Sequence, residues 1–426
     1  MRIAAINQFY WPDLAATSQL LTDLCEHLAA VGHDVHVVCG RGHYAGGHAA
    51  LPHKELHAGV HIHRAWTANL GKASLLHRGA DYASFHATAT AQLMALPHPD
   101  VVLCLSTPPL VASLGMMAKA VRGSRFIYWV QDLYPDVAVE LGALRRDSNM
   151  ARSTAAFSRQ ILTRADAVVA LGDAMRAQLT AHGAPVEKVH VVHNWADGHR
   201  ILPTPVQDNK LREGWAERDR FCVMYSGNFG LAHDFDTLEH AFTQLGRRDD
   251  ILFALVGDGV RKAPLEQGMR ARGAVNLRFW PLFPREQLSH SLGAADVHLI
   301  SLHPRLSGMV VPSKVYGVMA AGRPSVFVGP PESDVWRLLE ESGAGLCVRN
   351  GDGPGLVDAL MRLKDDVALR ERMGLKARET FMARYDQPHA LRAFERIITG
   401  APVVQHPATR APQGAKAVSV ASGSDG

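Results

Sequence analysis

The chain is poor in cysteine, in long apolar runs and in net charge. Its 426 residues hold five cysteines, Cys25, Cys39, Cys104, Cys222 and Cys347, an odd number with no CxxC pair. That argues against a disulfide framework and for a reducing compartment. Four of the five lie in or beside apolar runs, as small buried hydrophobes do, and Cys25 sits on a helix. No apolar run approaches the roughly 20 residues that span a bilayer. The opening stretch reaches Pro12 too soon for a signal peptide, so a cytoplasmic protein is expected. The formal charge of +4 comes without a concentrated basic stripe, and no nucleic-acid partner is expected. Such a balance suits an anionic small substrate or an anionic membrane face.

Histidine is the exception to this plainness. There are 23, of which 16 precede residue 201, among them His33, His36, His43, His48, His53, His57, His61 and His63. His61 and His63 share one face of a strand with no Cys ligand nearby, so no metal site is expected.

At roughly 100–200 residues per domain, the length allows two or three domains. Short apolar strands alternate with amphipathic helices. Ile3–Ile6 reads as a strand and is followed by a loop from Asn7 to Pro12. Asp13 is placed to cap a helix whose inward positions are Leu14, Thr17, Leu21, Leu24, Leu28 and Val31, which Gly32 ends. Val35–Cys39 completes a βαβ unit. Further strands are expected at Val60–Arg64, Val101–Leu105, Phe126–Val130, Ala167–Leu171 and Val189–Val192. Near-continuous apolar strands between helices imply a parallel sheet covered on both faces.

A linker is expected near 198–210, after which the pattern restarts. Strands are read at 221–225, Leu252–Val256, Val275–Phe279, Val297–Ile300, Ser325–Val328 and Gly345–Val348. Residues 1–200 and 207–385 are therefore two α/β domains, each a doubly wound parallel sheet. A C-terminal helix over 386–400 is expected to pack back towards the first domain, and 401–426 reads as a disordered tail. In such sheets ligands bind beyond the carboxyl ends of the strands, which selects the loops to inspect.

After the first strand, Gln8 and Tyr10, with Thr17 and Ser18 at the next helix, suit a sugar or lipid-sugar acceptor, which Gln131 is also expected to meet. Gln131, Asp132 and Asp136 follow a buried strand, where a carboxylate can position a hydroxyl or stabilise developing positive charge. In the second domain Gly227, Asn228, Gly257, Gly259, Arg261 and Lys262 lie in glycine turns that let backbone amides approach phosphate. The most specific segment is Ser307-Gly308-Met309-Val310-Val311-Pro312-Ser313-Lys314-Val315-Tyr316-Gly317. A hydroxyl, a lysine and free helix amides at one helix start suit a diphosphate.

These segments, in this order and joined by His193-Asn194-Trp195-Ala196-Asp197 and Ala321-Gly322-Arg323-Pro324, resemble the retaining glycosyltransferases of family 4. The likeness is closest to the bacterial subgroup that builds O-antigen, colanic acid and capsule, and it covers about residues 1–395. It implies the GT-B fold, two Rossmann-like domains facing across a cleft. It implies transfer of a sugar from a nucleotide-diphosphate sugar, UDP- or GDP-linked, with no cofactor and no required metal. The donor diphosphate would meet Asn228, Arg261, Lys262, Ser313 and Lys314, with Gly227, Gly257, Gly259 and Tyr316 in the same donor site. The backbone of Gly308, Met309 and Val310 would meet the donor sugar. Asp132 would sit by the reacting centre, and Asp132 and Lys314 would be the catalytic pair. The acceptor would be a polyprenyl-diphosphate-linked saccharide at the inner membrane face.

The sequence departs from the broad family in three places. Met309 and Gly317 stand where many members carry two Glu, Asn228 and His233 where many carry Arg and Lys, and Gln131 where a His is usual. Membrane contact has a separate signal in Arg145, Arg146, Arg152, Arg159 and Arg164, which flank Ala155, Ala156, Phe157, Ile161 and Leu162. Two other readings share the bilobed architecture: a non-hydrolysing nucleotide-sugar 2-epimerase, and a sugar-binding protein without turnover.

Overall fold

A computed structural model describes residues 1–41, 51–68, 70, 75–215 and 217–401. His43, His48 and the expected tail beyond Ala401 lie outside the described residues.

The first lobe holds β1 (Arg2–Ile6), β2 (Asp34–Gly40), β3 (Lys54–His57), β4 (Val60–Ala65), β5 (Val101–Cys104), β6 (Arg125–Trp129), β7 (Ala167–Ala170) and β8 (Val189–Val191), in the order β3-β4-β2-β1-β5-β6-β7-β8. The second holds β9 (Phe221–Ser226), β10 (Ile251–Val256), β11 (Leu277–Trp280), β12 (Val297–Ser301), β13 (Ser325–Val328) and β14 (Gly345–Val348), in the order β11-β10-β9-β12-β13-β14. Each strand order reverses once, between β1 and β5 and between β9 and β12. The crevice beyond the carboxyl ends of the strands opens at those two points. The central strands are apolar and fully buried, as strands covered by helices on both faces must be.

The sheets depart from expectation in two places. β3 pairs antiparallel with β4, so the first sheet is not wholly parallel. β11 starts two residues late, because buried Asn276 turns inward and donates through Nδ2 to the carbonyls of Leu245 and Arg248. Asp13 does not cap the first helix. Its Oδ1 accepts from Ala15 N at 2.8 Å, and the helix begins at Ala16 without a side-chain cap. The Arg-bearing helix Asn149–Arg164 turns Ile161 and Leu162 into the core, leaving Met150, Arg152, Ala155, Ala156, Arg159 and Arg164 exposed. Its apolar face is therefore spent inside the protein.

The chain crosses between the lobes twice, and the two crossings are tied together. Asp386 Oδ1 accepts from Gly198 N at 2.9 Å, and Gln387 N donates to Ala196 O at 3.0 Å. The helix Gln387–Thr399 then lies on the first lobe. The Arg125 guanidinium donates to its last carbonyls, Ile397 O at 2.6 Å and Ile398 O at 2.9 Å, where a cation also suits the helix dipole. Phe394, wholly buried, puts its ring centroid 4.5 Å from that of Trp129 and 6.0 Å from that of Trp195. Phe394→Ala is expected to cost about 3–5 kcal/mol, the range for emptying a large aromatic site. Chemical denaturation followed by tryptophan fluorescence measures it, and a loss well under 1 kcal/mol would show that this helix does not hold the first lobe.

Candidate functional site

The second lobe's switch point is built around one lysine. Lys314 opens the helix Lys314–Ala320 and extends over the end of β9. Its Nζ lies 3.7 Å from the ring centroid of Tyr225, which is itself fully buried. The ammonium is sealed from solvent and has no hydrogen-bond partner among the described residues. Burial alone pulls its pKa down to about 7. Gly227 has φ 137°, and a Cβ there would come within 3.1 Å of Lys314 Cε and Nζ. Glycine at this position leaves the lysine its space.

The neighbours of that ammonium are imidazoles. His233 is half-buried against Tyr225 with ring centroids 5.9 Å apart, and its Nδ1 donates to Ser301 O at 2.7 Å. Desolvation, with Lys314 adding to it, lowers its pKa to about 3. His298 is lowered to about 4, mainly by burial. Both rings are therefore neutral near pH 7 and supply no counter-charge.

The other expected donor residues are placed differently. Arg261 pairs with Asp236 at 2.7 Å, and Lys262 Nζ donates to Gly257 O at 2.7 Å and Trp280 O at 3.2 Å. Those two cations already have protein partners, and Lys314 has none. Gly257 and Gly259 pack onto the Gly227–Phe229 loop. A Cβ on Gly257 would fall 1.9 Å from Gly227 O, and one on Gly259 2.6 Å from Asn228 Oδ1. Asn228 lends its carbonyl to Tyr225 Oη at 2.7 Å. Ser313 sits just before the lysine's helix with no capping bond. Tyr316 is buried and faces Tyr385 with centroids 5.3 Å apart. It lines a separate cavity between the lobes with Asp173, His193 and Asp334. Two residues along a helix is about 200° of rotation, which separates Tyr316 from Lys314.

From the first lobe, the loop after β6 reaches across. Leu133 N donates to Met309 O at 3.0 Å, and Asp132 forms an antiparallel bridge with Val310. Gly308, with φ 71°, packs on the helix Asp173–Ala181, where a Cβ would meet Gln178 Cγ at 2.8 Å and Ala174 O at 2.9 Å. Asp334 of the second lobe accepts Ala174 N at 3.0 Å at the start of that same helix. Burial raises the Asp132 carboxyl to about 6. Its backbone N–H and that of Gln131 both donate to Ser106 Oγ. Gln131 exchanges amide hydrogen bonds with Asn194, 3.1 Å each way. Asp136 pairs with His182 at 3.0 Å.

The expected acceptor residues divide by depth. Gln8 and Thr17 are half-buried at the loop and helix start, whereas Tyr10 and Ser18 are buried beneath them. Sequence reasoning gave no role to the Tyr225 ring or to Asp334. The Ser333-Asp334 pair is a helix-start signal, but nothing in it says that the helix capped lies in the other lobe.

His36, His61 and His63 do cluster, with His36 Nδ1 and His63 Nε2 3.1 Å apart and His36 Nε2 3.0 Å from Asp34. Among the described residues no group of three or more His, Cys, Asp or Glu is placed to hold a metal ion. None of the described helices is long and apolar enough to cross a membrane.

Residues 17–195 match the model of the glycosyl transferase 4-like domain. The chain is 27% identical to WcaI of Escherichia coli K12, a protein provisionally assigned as a colanic acid biosynthesis glycosyl transferase, over 94% of this chain and all of that one. It is 25% identical to a GDP-mannose-dependent alpha-mannosyltransferase of Mycobacterium tuberculosis, over 90% of this chain and 93% of that one. The crystal structure of Anabaena HepE in complex with UDP-glucose superposes with a TM-score of 0.71 at 16% identity, covering 94% of this chain and all of that one. The fold is GT-B, and the chain is a glycosyltransferase, which sets aside the epimerase and the binding protein.

Gly257→Ala tests how tightly the two glycine loops depend on each other. The added methyl meets backbone oxygen, and φ 137° suits no L side chain, so a loss of about 1–3 kcal/mol is expected. Thermal unfolding measures it, and an unchanged midpoint would mean that the loops do not need this contact.

Proposed function

We propose that this glycosyltransferase moves a sugar, with retention of anomeric configuration, from a UDP- or GDP-linked donor to a lipid-linked saccharide. The setting is cell-surface polysaccharide synthesis on the cytoplasmic face of the membrane. One observation carries the reading: the Lys314 ammonium is buried at the switch point of the second sheet with no acceptor for its protons. A desolvated cation without a partner is costly, and an anion that enters beside it removes that cost. A diphosphate leaving group gains negative charge as the glycosidic bond breaks. A fixed cation in a water-poor site stabilises that charge most when it is greatest.

Asp132 is the counterpart on the first lobe. Its loop is joined to the Gly308–Val310 segment, which sets it beside the sugar end of the proposed donor site. There an ionised carboxylate stabilises the positive charge that develops on the sugar and orients the incoming hydroxyl. Attack from the leaving-group face needs no protein nucleophile. The expected hold on anionic lipid is electrostatic, through Arg152, Arg159 and Arg164 on the exposed face of the helix Asn149–Arg164, which carries no Asp or Glu.

Protection against thermal unfolding by a panel of UDP- and GDP-sugars identifies the donor, because a ligand of the native state raises its midpoint. Lys314→Ala is expected to abolish that protection and to lower kcat/KM by about 100-fold. Asp132→Asn is expected to keep the protection and lose turnover. In the wild type, kcat should fall as the pH drops through about 6, where the Asp132 carboxylate takes up a proton. Unaltered protection in the lysine variant, or retained turnover in the aspartate variant, refutes that residue's role. Sedimentation with phosphatidylglycerol vesicles tests the lipid contact. Replacing Arg152 and Arg159 by Glu should release the protein into the supernatant, and unchanged sedimentation would remove this helix from the membrane face.

A further inference from the structure

The seat of Lys314 is unusual for a surface-derived side chain. The face of Tyr225 lies 3.7 Å from its nitrogen, the Gly227 backbone closes the other side, and no oxygen accepts its protons. The charged and titratable groups that face it are His233, on the segment after β9, and His298, on β12. Neither is acidic, and no carboxylate enters among the causes of its shift. An aromatic face attracts a desolvated cation through the ring quadrupole. That steers the ammonium without replacing the hydration it has lost. The ring itself is fixed, since Tyr225 Oη donates to Asn228 O at 2.7 Å and the ring packs against Phe229 and Phe235 at 4.9 Å and 5.2 Å.

We infer that Tyr225 is a positioning residue that holds Lys314 as an uncommitted receptor for the donor's diphosphate, so that donor binding above neutral pH takes up one proton at Lys314 Nζ. This inference rests on the donor site proposed above. In the free enzyme, burial with no counter-charge disfavours the ammonium, and its midpoint near 7 agrees with that geometry. A phosphate oxygen beside it favours the ammonium and raises the midpoint. Between the free and bound midpoints the protein must collect a proton from solvent whenever the donor binds. The sign follows: donor affinity is full below pH 7 and falls as the pH rises above it, approaching tenfold per unit. The balance is one proton gained by Nζ on binding and one returned when the nucleoside diphosphate leaves.

Isothermal titration of the full chain with UDP-glucose, or with GDP-mannose if that protects better, tests this. An intact nucleotide sugar is the right probe because its diphosphate diester does not titrate near neutral pH. Measured in buffers of differing ionisation enthalpy, the slope of binding enthalpy against buffer enthalpy counts the protons exchanged. At pH 8 it should approach one proton taken up, and at pH 5.5 it should be near zero. Tyr225→Phe keeps the ring and should keep the slope. Tyr225→Leu removes the ring and should raise KM for the donor at least fivefold with a smaller loss in kcat, while circular dichroism shows the variant folded. Lys314→Arg, charged at every accessible pH, should bind with no slope at pH 8. Binding with zero slope in the wild type overturns this inference and leaves the donor site standing. Absence of binding by every nucleotide sugar tried overturns both, and a leucine variant with unchanged KM removes Tyr225 from the role.

Discussion

An ammonium held away from water with nothing to accept its protons is the constraint around which the second lobe is arranged. Lys314 needs a helix start to carry it, an aromatic face beneath it and a backbone with no side chain beside it. Tyr225, at the end of β9, meets the second need, and Gly227, two residues later, the third. The rest follows from these. Gly227 takes a backbone shape open to glycine, and its carbonyl lies against Gly257, which is glycine for the same reason. Arg261 and Lys262, the other cations near these loops, are engaged by Asp236 and by the carbonyls of Gly257 and Trp280. They brace the loops that frame the site, and Lys314 is left as its free charge.

The first lobe meets this arrangement through backbone more than through side chains. The Leu133–Met309 hydrogen bond and the Asp132–Val310 bridge join the loop after β6 to the segment that leads into the lysine's helix. A backbone contact of this kind fixes the register between the lobes whatever side chains flank it. Gly308 lies on one side of the helix Asp173–Ala181, and the Asp334 carboxylate completes the start of that helix from the second lobe. The N-terminal amides of a helix are usually satisfied by a residue of its own chain segment. Here one of them is satisfied across the cleft, so the folding of one element and the approach of two lobes share an interaction.

Much of this was legible in the residues. The βαβ unit from Ile3 to Cys39 and the restart at Phe221 have periodicities that only alternating strand and helix satisfy, and the two sheets follow from them. β3 was not legible, because Lys54–His57 lies at an edge with Leu56 largely exposed, and an edge strand has no buried face to leave an apolar alternation. The shift of β11 was hidden for a related reason. Val275 is apolar but exposed, and the buried residue beside it is the polar Asn276. At the site, spacing could bring Arg261, Lys262 and Lys314 to neighbouring loops. It could not say which of them already had a partner, since that depends on carbonyls and carboxylates remote in sequence. Tyr316 was grouped with the donor residues by nearness along the chain, yet the helical turn directs it to Tyr385.

Two of the departures from the family that the sequence resembles become coherent once the lysine is seen as unpaired. The family that the sequence resembles often has Glu at the two positions occupied here by Met309 and Gly317. A carboxylate close to a buried ammonium stabilises its charged form and also neutralises it towards an incoming anion. Gly317 leaves little space for a longer side chain, since a Cβ there would already lie 3.2 Å from Leu292 Cδ1. Met309 gives its carbonyl to Leu133 and so serves the junction of the lobes. Neutral His233 adds no second positive charge to repel the ammonium either. Removing both the nearby acid and the nearby base leaves a single lysine whose charge is set by burial and by whatever anion arrives. Such a site trades a permanent electrostatic network for one group that responds to its ligand.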